Sequence, residues 1–158
     1  MRAVSTRLVS PRIFPLQRRV SAAERPRLYG LKKIAVSVSA DPDGGLDRDR
    51  LRQLAVSKLK AAGIHVDQRS RSHLNVIIGL STIRTDKGVG LGYAYSVNLS
   101  VSQQVYLAHN PNRLTDAVTW QMQSLGTSSA AELNYKCEQI LARRLDEFVS
   151  VYLDGTQK

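Results

Sequence analysis

The 158-residue sequence predicts a two-layer α/β (α+β) sandwich. Its sheet is mixed and mostly antiparallel, two helices cover one face, and the order is β-α-β-β-β-β-α. Three observations carry this. Between Tyr93 and Leu107, Tyr93, Val97, Leu99, Val101, Val105 and Leu107 share one strand parity, while Ser96, Asn98, Ser100, Ser102 and Gln104 take the other. Successive strand side chains point to opposite faces, so one face is apolar and the other small, neutral and polar. Residues 51–62 and 133–152 each show a single apolar stripe at helical spacing. Finally, the first helix lies between two strands and implies a right-handed crossover, whereas the later, hairpin-linked strands pair antiparallel. One-striped helices and a one-faced sheet bury each other in two layers.

In chain order, Leu31 to Ser39 forms the first strand, with Ile34, Val36 and Val38 inward. Asp41-Pro42-Asp43-Gly44-Gly45 breaks it. Asp47 caps the first helix, and Leu46 and Leu51 stand in the positions of a hydrophobic staple. The helical stripe is Leu51, Leu54, Ala55, Leu59 and Ala62, and Gly63 ends it with positive φ. Ile64 to Asp67 is a short strand. Leu74, Val76, Ile78 and Leu80 then alternate with Asn75, Ile77 and Gly79 on the first arm of a long hairpin. Asp86 to Gly90 turns the chain, and the second arm runs to about Ala108, where His109-Asn110-Pro111-Asn112 interrupts it. Thr115 to Ser124 is the last strand, with Val118, Trp120 and Met122 inward and Thr119, Gln121 and Gln123 outward. Ser129 and Glu132 spell a capping box for a final helix striped by Leu133, Cys137, Ile140, Leu141, Leu145, Phe148 and Tyr152.

Charge divides the chain into a tail and a domain. Residues 1–30 carry seven arginines against Glu24, a net of +6 out of the total +10. Residues 1–29 are expected to be a disordered basic extension, dispensable for folding, and 30–155 a single α/β domain. The extension is Arg- and Ser-rich and nearly free of acids, as transit peptides are, and no apolar h-region of a secretory signal is visible in it. The longest apolar run falls well short of the ~18 residues of a spanning helix. A single cysteine, Cys137, excludes an intrachain disulfide.

No catalytic constellation emerges. His65, His73 and His109 sit in separate elements without ligand spacing, and Cys137 lies on a helix's apolar stripe. There is no G-x-S-x-G elbow. Asp41, Asp43, Asp47 and Asp49 resemble the start of a calcium loop, but Arg52 stands where the bidentate Glu is required. Gly88, Gly90 and Gly92 lead into a strand rather than a helix, so they serve a turn or bulge and not a phosphate. No cofactor or metal is implied. What remains is the polar side of the sheet: Ser96, Asn98, Ser100, Ser102, Gln104, Thr119, Gln121 and Gln123 form either a plain solvated face, the reading the sequence favours, or a wet interaction face for protein or glycan. It has no Arg or Lys and only Tyr106 at one end, which makes it a poor platform for stacked bases.

One resemblance adds to this reading. Leu31, Ile34, Ala35 and Val36, then Leu59, Ala62, Gly63, Ile64 and Val66, then Tyr95, Val97 and Leu99, recur as a set with Trp120 and the segment Phe148 to Leu153. In these the chain resembles small bacterial extracytoplasmic α/β proteins, similar in build to the N-terminal domain of TolB and related envelope accessory domains. The likeness covers residues 30–155 but consists of packing and turn residues. It implies a non-enzymatic accessory role in the periplasm or cell envelope, with another protein as partner, and brings no active-site residues. The chain departs from it in showing no signal peptide and in carrying its cysteine too late for a lipid attachment site. The alternative is a small basic nucleic-acid- or ribonucleoprotein-associated protein, binding through the tail and losing affinity steeply with salt.

Overall fold

Alternation of apolar and polar side chains becomes, in the computed structural model, one open five-stranded sheet in the order β2-β1-β3-β4-β5. The structure describes Leu28 and residues 31–156. The strands are β1 (Lys33–Ala40), β2 (His65–Val66), β3 (His73–Arg84), β4 (Gly90–Leu107) and β5 (Asn110–Ser128); the helices are α1 (Arg48–Ala61) and α2 (Leu133–Thr156). β1 runs parallel to both β2 and β3, and β3, β4 and β5 are antiparallel in sequence. The predicted element order and two-layer class are those found. Apart from Leu28, the expected basic extension lies outside the described residues. Leu28 itself is fully buried and its carbonyl accepts from the Leu31 amide, so the core reaches upstream of residue 30.

The helices cover the face on which Val36, Leu74, Val101 and Trp120 stand side by side across four strands. α1 contributes Leu51, Ala55 and Leu59, and α2 contributes Leu133, Cys137, Leu141, Leu145 and Phe148, all buried. Local chemistry sets the helix ends. Asp47 Oδ1 accepts from the Arg50 amide at 3.0 Å, and Gly63 at φ 77° carries the chain away from α1. Upstream, Asp41 Oδ1 accepts from the Asp43 amide, so the acidic run is a turn followed by a helix cap. At the other end of the sheet Gly88 has φ 79°, and Leu91 is extruded where Ile83 pairs with Gly92 and Arg84 with Gly90.

The extents of β5 and α2 and the facing of Val118 differ from the sequence reading. β5 begins at Asn110, not Thr115, and runs on to Ser128; Pro111 lies where the register jumps from Leu107–Asn110 to Tyr106–Leu114, so it has no ladder partner to lose. α2 starts at Leu133, with the Glu132 carbonyl accepting from the Lys136 amide. Glu132 thus precedes the helix instead of occupying its third position, and the Ser129–Glu132 capping box does not form. Lastly, Val118 does not face inward with Trp120. Val101 pairs with Trp120 but Ser102 pairs with Val118, so one extra residue, Thr119, is inserted and the parity reverses.

Candidate interaction face

The side of the sheet turned away from the helices is built in rows across four strands. Ser37, Asn75, Ser100 and Gln121 make one row, and Ser39, Ile77, Asn98 and Gln123 the next. Gly79, Ser96 and Leu125 make a third across β3, β4 and β5. The sheet therefore brings together Ser96, Asn98, Ser100, Gln121 and Gln123, and none of these rows holds a charged side chain. Gln121 Nε2 donates to Asn98 Oδ1 at 3.4 Å, a diagonal link between rows. Toward the other end Asn75 Nδ2 donates to Ser102 Oγ, and Arg71 Nη1 to Gln104 Oε1, both at 3.4 Å. Such long, single contacts leave most amide donors and acceptors open to a partner or to water.

Thr119 is the member that leaves this face. Its hydroxyl lies 2.8 Å from Gln103 Oε1 and 3.3 Å from the Val101 carbonyl, and Gln103 belongs to the helix-side parity of β4. Val118 takes the outward place opposite Ser102 and is 59% exposed. With Ile77 at 52%, Leu125 at 75%, and Tyr106 and Leu114 paired at the far end, it gives the polar face five large apolar side chains in the open. Sequence reasoning placed Ile77 on the polar parity but did not include it in the face. Leu125 was missed because the strand was ended one residue before it, and Val118 because a bulge has no signature in alternation.

The opposite face holds its polar groups in full. Ser124, on the inner side opposite Val97, is buried, and Arg144 of α2 donates to its Oγ at 2.6 Å. The same guanidinium meets Glu147 Oε2 at 2.7 Å, so a charge over the core is paired as well as hydrogen-bonded. Trp120 stacks obliquely on Phe148, ring centroids 5.0 Å apart at 58°. Gly126 lies opposite Tyr95, and a Cβ there would enter the tyrosine ring. Burial raises the Tyr95 phenol above its ordinary value and pushes the Cys137 thiol up to about 11, leaving it protonated and unreactive. Asp67, after β2, lies below the usual carboxylate range because the Arg69 amide and Lys33 bond to it. Among the described residues no three His, Cys, Asp or Glu side chains converge.

No family model matches this sequence, and no curated protein matches it either. Among solved structures, the chain is similar to PelC from Paraburkholderia phytofirmans, a dodecamer, with 17% identity, TM-score 0.42, and 71% of this chain and 84% of that chain covered. A minor lipoprotein from Acinetobacter baumannii shows 9% identity and TM-score 0.40 over 76% of this chain and 91% of its own. The rare lipoprotein B from Shewanella oneidensis shows 12% identity and TM-score 0.37 over 76% and 94%. The likeness is one of mixed α/β build.

Proposed function

We propose that this domain is a non-enzymatic accessory module of the bacterial cell envelope that binds another protein through the open face of its sheet. The observation that carries the reading is the composition of that face. The rows Ser37–Asn75–Ser100–Gln121 and Ser39–Ile77–Asn98–Gln123 hold no charge in a chain of net +10, and Ile77 and Leu125 stand exposed among their serines and amides, whereas the end of the face beyond them carries His73 beside Ser102 and Val118, and Asp116 and Arg71 at Gln104. A face that merely meets water has no need to exclude Lys and Glu, whereas the centre of a protein interface is depleted of them. Wet contacts by Ser, Asn and Gln suit a partner that also presents uncharged polar groups. The envelope setting rests on the resemblance of residues 30–155 to TolB-like accessory domains.

The test is site-directed crosslinking. A photoreactive probe attached through Gln123→Cys should give a discrete protein adduct in envelope fractions. Ser100→Arg or Leu125→Arg, checked for unchanged melting, should abolish it. Adducts of equal yield in the arginine variants would place binding elsewhere.

A further inference from the structure

The face just described leaves unexplained the edge of the sheet at β1. There β2 covers only the start of the strand, pairing His65 with Lys33 and Val66 with Ile34, and the Asp67 amide closes on the Ile34 carbonyl. The amides of Ala35 and Asp41 donate to Ser72 and Ile78, on the β3 side. In a strand the intervening residues direct their backbone groups the other way, so Val36, Val38 and Ala40 present amides and carbonyls to an edge that no strand among the described residues covers. The stretch Val36–Ala40 has neither Lys nor Pro, the residues that commonly protect such an edge.

A groove of about 560 Å³ lies along this edge, walled by Val36, Ser37 and Val38 on one side and by Asp49 and Arg52 of α1 on another. A second hollow of about 470 Å³ continues from the same Asp49 and Arg52 along the helix past Val56. Edge and helix flank therefore form one surface. Arg50 and Lys58, on the other side of α1, are bound to Glu138 and Asp146 of α2, whereas Asp49 and Arg52 form no ion pair among the described residues.

We propose that this surface is a two-fold interface for a second copy of the chain, with the two β1 edges joined antiparallel and the two α1 flanks side by side. Register and charge both select this occupant. An axis at Val38 opposes Val36 to Ala40 of the second copy, so that outward-directed backbone groups meet. It also sets each β2 beyond the end of the other β1, where the existing pairing at Ile34 is undisturbed. Asp49 and Arg52 stand one helical turn apart, and a two-fold axis between them brings each to its opposite in the second copy. A partner of a single charge sign would satisfy one and oppose the other. The strand ladder alone falls short of the ~800 Å² per partner of a standard interface, and the Val56 flank of α1 supplies the remaining contact.

Sedimentation equilibrium on the full chain, up to about 100 μM so as to capture a micromolar interface, tests this. The expected mass is twice 17.5 kDa. Val38→Pro removes an amide that faces solvent in a single copy, where an edge strand tolerates proline, yet bonds across the proposed ladder. It should yield single copies with the same melting temperature. Asp49→Arg and Arg52→Asp should each weaken association at least tenfold, and the two combined should restore it. If Val38→Pro fails to fold, the charge exchange decides alone. The interface is on a different side from the open sheet face, so Ser100→Arg should leave the mass unchanged. A wild-type chain of single mass at every concentration would overturn the proposal. So would a double mass indifferent to the Asp49 and Arg52 substitutions.

Discussion

The two faces of the sheet are made by the same strands and the same alternation, yet they differ in what holds them. On the helix side Val97, Leu99 and Val101 of β4 are wholly buried. On the open side Ser96, Asn98 and Ser100, one residue away in each case, are only partly covered, and Asn98 meets Gln121 through a 3.4 Å contact. Burial, and not strand formation, separates them. Stability is expected to reside in the first face, and recognition in the second, where side chains can change at little cost to the fold.

Labelling should show the contrast at its largest. In the native protein Cys137 is expected to resist thiol reagents at pH 8, well below its pKa of about 11, and to react only after unfolding. Gln121→Cys should react at the rate of an exposed thiol. Comparable rates for the two would break the comparison.

Truncation comes next. Trp120→Ala should cost roughly 3–5 kcal/mol in denaturant unfolding, since it empties the space against Phe148. Gln121→Ala, the next residue in the strand, should stay within about 0.5 kcal/mol. Tryptophan emission should be blue-shifted and poorly quenched by iodide, and a red, fully quenched emission would mean that the faces are reversed.

An intermediate effect is expected at Arg144→Ala. The substitution strands the buried Ser124 hydroxyl and should cost about 1–3 kcal/mol by the same measurement. The smallest effect falls at Val118→Ala. Uninterrupted alternation would bury this valine beside Trp120 and make its truncation costly, but on the outward side of the bulge the change should remain within about 0.5 kcal/mol.

Much of this arrangement is legible in the residues. The stripe from Leu51 to Leu59 and the parity from Tyr95 to Val101 mark the core side chains that the structure buries, because a helix or strand repeats its facing at a fixed period. Gly63 and Asp47 mark where α1 stops and starts through requirements of φ and capping that act within a few residues. Of the candidate face, Ser96, Asn98, Ser100, Gln121 and Gln123 follow from the same parity and come together as read. Thr119 does not, since an inserted residue on β5 is defined only against its partner β4. Pro111 was read as a terminator, and the irregularity that leaves it unpaired is likewise defined only by the pairing with β4.

What the sequence by itself determined is therefore local: two amphipathic helices, strands with one apolar parity, and a polar parity free of charge. Each follows from the fixed geometry of a helix or strand acting on neighbouring residues. The tertiary structure alone decided the strand order β2-β1-β3-β4-β5, the bulge that turns Val118 out and Thr119 away, the reach of β5 to Ser128, and the open edge at Val36–Ala40. These depend on which strand lies beside which and where pairing ends. Such contacts join residues far apart in the chain, and no local period encodes them.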